Sequence, residues 1–68
     1  MSADDDHLAK AKRYVEEAQR IVWEQKGRII RRRAAGLDSL DAERTLRVLE
    51  ANLKVLQEHA RWLERKEH

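Results

Sequence analysis

The chain has 68 residues, of which 41% are charged, with a net charge of +2 and no Cys, Pro or Phe. This length accommodates one domain and lies near the lower limit for a self-sufficient core. The lack of cysteine excludes a disulfide framework and thiol chemistry, and so small a net charge singles out no class of partner. Asp4, Asp5 and Asp6 stand where a secretory signal would carry positive charge, and the apolar runs are far shorter than the roughly 20 residues that span a bilayer. A cytoplasmic location without membrane attachment is expected.

The first element is a long helix, predicted over about residues 5–35. Leu8, Ala11, Val15, Ala18, Val22, Gln25 and Ile29 step by alternating threes and fours, the seam of a helix packed lengthwise on another. The three aspartates near its start supply a cap and suit the positive end of the helix dipole, and Arg31, Arg32 and Arg33 suit the negative end. Gly36 is the natural left-handed stop, with Leu37 as its apolar follower. Gly27, inside the helix, costs about 1 kcal/mol relative to Ala. It falls on the outer face, where it is either tolerated or approached closely by a partner.

The second helix is predicted over about residues 39–65. Asp38 is its expected N-cap, with Asp41 completing an acidic capping box, and Arg65 and Lys66 close it. Leu46, Leu49, Leu53, Leu56, Ala60 and Leu63 repeat the seam. Folded back at Gly36-Leu37-Asp38, the two seams meet layer by layer: Ile29 on Leu46, Gln25 on Leu49, Val22 on Leu53, Ala18 on Leu56, Val15 on Ala60 and Ala11 on Leu63. Small residues oppose large ones, as interdigitating layers require. The fold expected is an all-α antiparallel two-helix hairpin, a single domain over residues 1–68. Gln25 breaks the apolar seam, and either sets register or reaches past the seam to water.

His7-Leu8-Ala9, the run Val15-Glu16-Glu17-Ala18-Gln19-Arg20-Ile21-Val22, the turn Arg33-Ala34-Ala35-Gly36-Leu37-Asp38, and Ala42-Glu43-Arg44-Thr45-Leu46 with Leu53, Leu56 and His59 together resemble a group of small bacterial helical-hairpin proteins of unknown function. The likeness spans most of the chain but rests on seams, caps and a turn. Trp23 and Gly27 depart from it. The resemblance implies a short helical hairpin and transfers no functional residue.

Each helix carries more apolar surface than one neighbour covers. Tyr14 and Ile21 flank the first seam on one side, and Trp23 and Ile30 flank it on the other. Val48, Val55 and Trp62 recur every seven residues on the second helix, about 120° from its seam. A lone hairpin leaves these side chains in water, and burying each large one is worth about 1.5–3 kcal/mol. Association into a homodimeric four-helix bundle is the simplest remedy. The interface residues expected are Tyr14, Ile21, Trp23, Ile30, Val48, Val55 and Trp62, with Thr45, Asn52 and His59 along a polar edge. A different protein seated on the same stripe, in a heteromeric complex, is the alternative.

Lys26, Arg28, Arg31, Arg32, Arg33 and Arg44 gather near the turn, where they offer contacts to RNA or DNA phosphates. The competing reading is dipole complement and solvated surface, with Glu16–Arg20, Glu24–Arg28, Glu43–Arg47 and Glu50–Lys54 as i,i+4 pairs. His7, His68, Glu64 and Glu67 lie at chain ends in no recognised metal spacing, so solvated histidines are expected there. Ser2, Ser39 and Thr45 lack a base and its orienter, and two helices enclose little. A non-enzymatic protein without metal or cofactor is expected.

Overall fold

In the computed structural model, residues 3–67 are described, with side chains described for residues 6–66. Two helices, α1 (Ala3–Ala34) and α2 (Leu40–Glu67), pack against each other as an antiparallel hairpin. The body measures 52 × 16 × 13 Å, with a radius of gyration of 15.7 Å. A compact chain of this length has a radius near 11 Å, so the molecule is a rod two helices wide.

The turn joins them through a full Schellman motif. Leu37 N–H donates to the Arg32 carbonyl at 2.9 Å and Gly36 N–H to the Arg33 carbonyl at 3.0 Å. Gly36 has φ 72°, the left-handed conformation that this stop demands of its C′ residue. The start of α2 differs from the expected capping box. The Asp38 carbonyl accepts from Arg32 Nε at 2.8 Å, and the first helical bond of α2 runs from Glu43 N–H to the Ser39 carbonyl. Ser39 is therefore the cap by position, while Asp38 Oδ1 accepts from Leu40 N–H at 3.0 Å. Asp41 does not close the box: its side chain is fully exposed, with Arg44 at 3.8 Å. At the other end, the capping expected of Asp4, Asp5 and Asp6 fails because α1 already includes them. Their charge still matches the helix dipole.

The seams face each other, and at the open end they meet in the expected layers. Ala11, Ala18, Val22 and Ile29 are buried on α1, and Ala60 and Leu63 on α2. Ala11, Ala60 and Leu63 form one cluster with Leu8 and Val15 packed on it, in keeping with the layers Ala11–Leu63 and Val15–Ala60. Leu46, Leu49, Leu53 and Leu56 are only half-buried. Small α1 residues disappear beneath the leucines, whose outer halves stay wet because no third helix covers them.

Gln25 sets register. It is 5% exposed, and its Nε2 donates to the Ala42 carbonyl across the hairpin at 2.8 Å. Its Oε1 accepts from Arg28 Nη1 at 3.3 Å. Both ends of the amide are satisfied, and the group is anchored to α2 instead of reaching past the seam to water.

Two glycines make opposite predictions. A Cβ on Gly27 meets only the tip of Arg31, Nη1, at 3.3 Å, a group free to swing away. Gly27→Ala is expected to stabilise by about 1 kcal/mol through helix propensity, raising Tm by roughly 4–8 °C. Gly36→Ala meets no atom within 4 Å but is forced into positive φ, and is expected to cost about 1–2 kcal/mol. Far-UV circular dichroism melts at one protein concentration check both signs. In the same assay, Gln25→Ala is expected to cost about 2 kcal/mol, from lost packing plus the lost cross-helix bond. Gln25→Leu, which refills the space without the bond, is expected to cost about half as much.

Candidate interaction surface

Apolar residues outside the seam are exposed to an extent unusual for a folded chain. Trp23 is 75% exposed, Val48 69%, Val55 63%, Tyr14 60% and Trp62 50%. Among the described residues no large side chain is fully buried. The accessible surface is 5524 Å², whereas a compact monomer of this mass exposes about 4500 Å².

The structure divides the expected stripe into two patches. Tyr14 and Trp62 line one groove at the open end of the hairpin, with His7, Lys10, His59 and Lys66 around them. The heptad spacing of Val48 and Val55 continues this face along α2, and the half-buried Ile21 continues it along α1. Trp23 and Ile30 line a separate groove on α1, floored by Gly27 and edged by Glu24, Lys26 and Arg31. Tyr14 and Trp23 are nine residues apart, which is about 180° around a helix. The two grooves share no residue. A single flat partner therefore reaches Tyr14, Val48, Val55 and Trp62 together, but not Trp23 and Ile30 with them.

Trp62 is held in place by its neighbours. The His59 ring stacks on it with centroids 6.2 Å apart and planes 15° from parallel. Lys66 Nζ lies 5.0 Å from its ring centroid, within cation–π range. His59, expected on a polar edge with Thr45 and Asn52, is thus a direct support of the aromatic platform.

The basic residues near the turn are largely occupied within the hairpin. Arg32 binds the Asp38 carbonyl, while Arg33 pairs with Glu43 and lies 3.4 Å from Ser39 Oγ. Arg28 turns to Gln25 and Arg44 to Asp41. Lys26 and Arg31 line the Trp23 groove instead. Phosphate contacts by Arg32 or Arg33 would compete with bonds that hold the turn.

Two of the acids expected to pair along their own helix, Glu24 and Glu43, take other partners. Arg20 takes Glu17 and Glu24 in place of Glu16, Glu43 crosses the hairpin to Arg33, and Lys12 crosses to Glu64 at 3.5 Å. Among the described residues no trio of metal-ligating side chains is assembled; His68 and the side chain of Glu67 lie outside the described residues. No described helix is long and apolar enough to cross a membrane. No protein-family model matches the chain, nor does any curated protein or solved structure.

One local cluster has a pH signature. The hydrogen bond from Arg20 holds the Glu17 carboxyl below its ordinary value against slight desolvation, with direct charge attraction adding to the effect. A depressed carboxylate contributes its stabilisation in full above its unfolded value of about 4.3, and loses it as pH falls through the folded value. Acidification from about pH 5 to about pH 3 is therefore expected to lower the wild-type Tm. Arg20→Gln, which abolishes the pairing, is expected to make that fall shallower in paired melts.

Proposed function

We propose that this protein is a non-enzymatic helical interaction module that self-associates, two hairpins packing into a four-helix bundle through the face of Tyr14, Ile21, Val48, Val55 and Trp62. One observation carries the reading: the hairpin buries no large side chain fully among its described residues, while Trp62, Val55, Val48 and Tyr14 stand half or more exposed on one side. Large apolar residues contiguous on one face mark an interaction site more often than scattered ones do. The face is about as large as a stable dimer needs. One whole side of the rod, with extents of 52 and 16 Å, is on the order of the 800 Å² that each partner contributes to a standard interface, and the apolar face runs along it. Two-fold pairing is the commonest way to cover such a surface.

Trp23 and Ile30 remain outside this interface and form a second, smaller apolar patch on α1. Trp62 and Val55 are the residues on which association depends. Replacing either with Asp is expected to convert a dimer to a monomer at micromolar concentration, because a carboxylate in the interface centre loses its hydration without a partner. Trp23→Asp is expected to leave the mass unchanged. Sedimentation equilibrium across a wide concentration range checks all three variants. Retention of the dimer by Trp62→Asp and Val55→Asp would show that the face is assigned wrongly.

A further inference from the structure

The groove between Tyr14 and Trp62 is basic on both sides. His7 and Lys10 edge it from α1, His59 and Lys66 edge it from α2, and among the described residues no carboxylate lines it. Glu58, the sequence neighbour of His59, is not among the lining residues, and Glu64 turns to Lys12. Tyr14 and Trp62 stand on different helices. A second copy that covers both of them closes over the four basic groups as well, whichever way its helices run.

The four groups do not meet that closure alike. Lys10 and Lys66 have long flexible stems, which can lie along an apolar surface while the ammonium stays in water. An imidazole has no such reach. His59 is also fixed in place, because its ring stacks on Trp62 with centroids 6.2 Å apart and planes 15° from parallel. A partner that buries Trp62 therefore covers His59 with it. A neutral imidazole accepts that position at little cost. An imidazolium loses hydration there and faces Lys66, whose Nζ lies 5.0 Å from the centroid of the Trp62 ring, with His7 and Lys10 across the groove. Burial and like charge both disfavour the protonated form. From a second copy, the carboxylates on the lines that bound this face are Glu17 and Glu24, one and two heptads from Lys10, and Asp41, three heptads before Trp62. Glu17 is already held by two hydrogen bonds from Arg20, Glu24 lines the Trp23 groove, and Asp41 has Arg44 at 3.8 Å.

We infer that His59 makes this interface sensitive to pH: two copies associate while the imidazole stacked on Trp62 is neutral and separate when it takes up a proton. The inference rests on the self-association proposed above and adds its regulation, without depending on which way round the copies pair. The separate hairpins bind this proton more readily than the dimer does, so association weakens as the pH falls. The window is the one in which an imidazole ordinarily gains its proton, from about pH 8 to about pH 5. It lies above the range of about pH 5 to about pH 3 in which the Glu17–Arg20 contribution is lost, so dissociation precedes any loss of fold stability.

Sedimentation equilibrium of the wild-type chain at about pH 7.5 and about pH 5.5 tests this, with far-UV circular dichroism at both values to follow the helices. An exposed histidine ordinarily titrates near about 6.5, so each excluded proton weakens the dimer by up to about tenfold at the lower pH, and a dimer excludes two. The dimer Kd is therefore expected to rise roughly ten- to hundredfold on acidification, with helicity unchanged. His59→Gln, which is neutral throughout, and His59→Phe, which keeps the stack without a titrating nitrogen, are each expected to show nearly the same Kd at both pH values. His7→Gln is expected to keep most of the wild-type response. A dimer whose Kd stays constant or falls on acidification would overturn the switch, and a response that survives in both His59 variants would overturn its assignment to His59. A wild-type chain that sediments as a monomer at both pH values and every concentration would instead overturn self-association itself.

Discussion

Two cylinders in contact bury only the strip along which they touch, and this constraint governs the rest of the molecule. Each helix of the hairpin can hide about one residue in three or four. Ala11, Ala18, Val22, Ile29, Ala60 and Leu63 are buried along that strip, while Leu46, Leu49, Leu53 and Leu56 keep their outer surfaces in water. No choice of larger seam residues changes this while the assembly has two helices. The wide apolar arcs around each seam are therefore surface that intramolecular packing leaves uncovered, and they connect the geometry of the fold to association.

So thin a core places unusual weight on its polar interactions. Gln25 lies in the seam with both amide groups satisfied, one of them by a carbonyl of the opposite helix. An apolar layer tolerates a slip along the helix axis, whereas a hydrogen bond to a particular carbonyl does not. The turn acts in the same direction. The Schellman bonds stop α1, and Arg32 and Arg33 then reach forward to Asp38, Ser39 and Glu43. Three arginines at a helix end suit the dipole anywhere, but two of these also fix where the second helix begins.

Much of this architecture was legible in the sequence because it depends on local chemistry. The threes-and-fours seam, the left-handed Gly36 and the direction of the hairpin each follow from a few neighbouring residues. The misread features are those decided by competition between elements. Glu43 looks like a partner for Arg47 until the turn brings Arg33 to it, and Asp38 looks like the cap although the helical ladder begins one residue later, at the Ser39 carbonyl. The grouping of the exposed residues was obscured in a related way. The helical wheel separates Tyr14 from Trp23, but neither wheel alone says which flank of α1 lies beside Trp62. That depends on how the two helices sit in three dimensions, and it divides one apparent stripe into two patches.

The division also gives Gly27 a more specific context than tolerance. Trp23, Gly27 and Ile30 lie at i, i+4 and i+7 on the flank turned away from Trp62, forming a gap between two exposed apolar side chains. A gap of that shape can receive a side chain from another helix, as a hole receives a knob. Arg31 already lies across part of it. A dimer closed through the larger face therefore leaves this flank of α1 at its periphery, one patch on each copy. On α2, Val48, Val55 and Trp62 share one line, whereas the large apolar residues of α1 outside the seam lie on opposite sides, so one partner face can cover the first group and only part of the second.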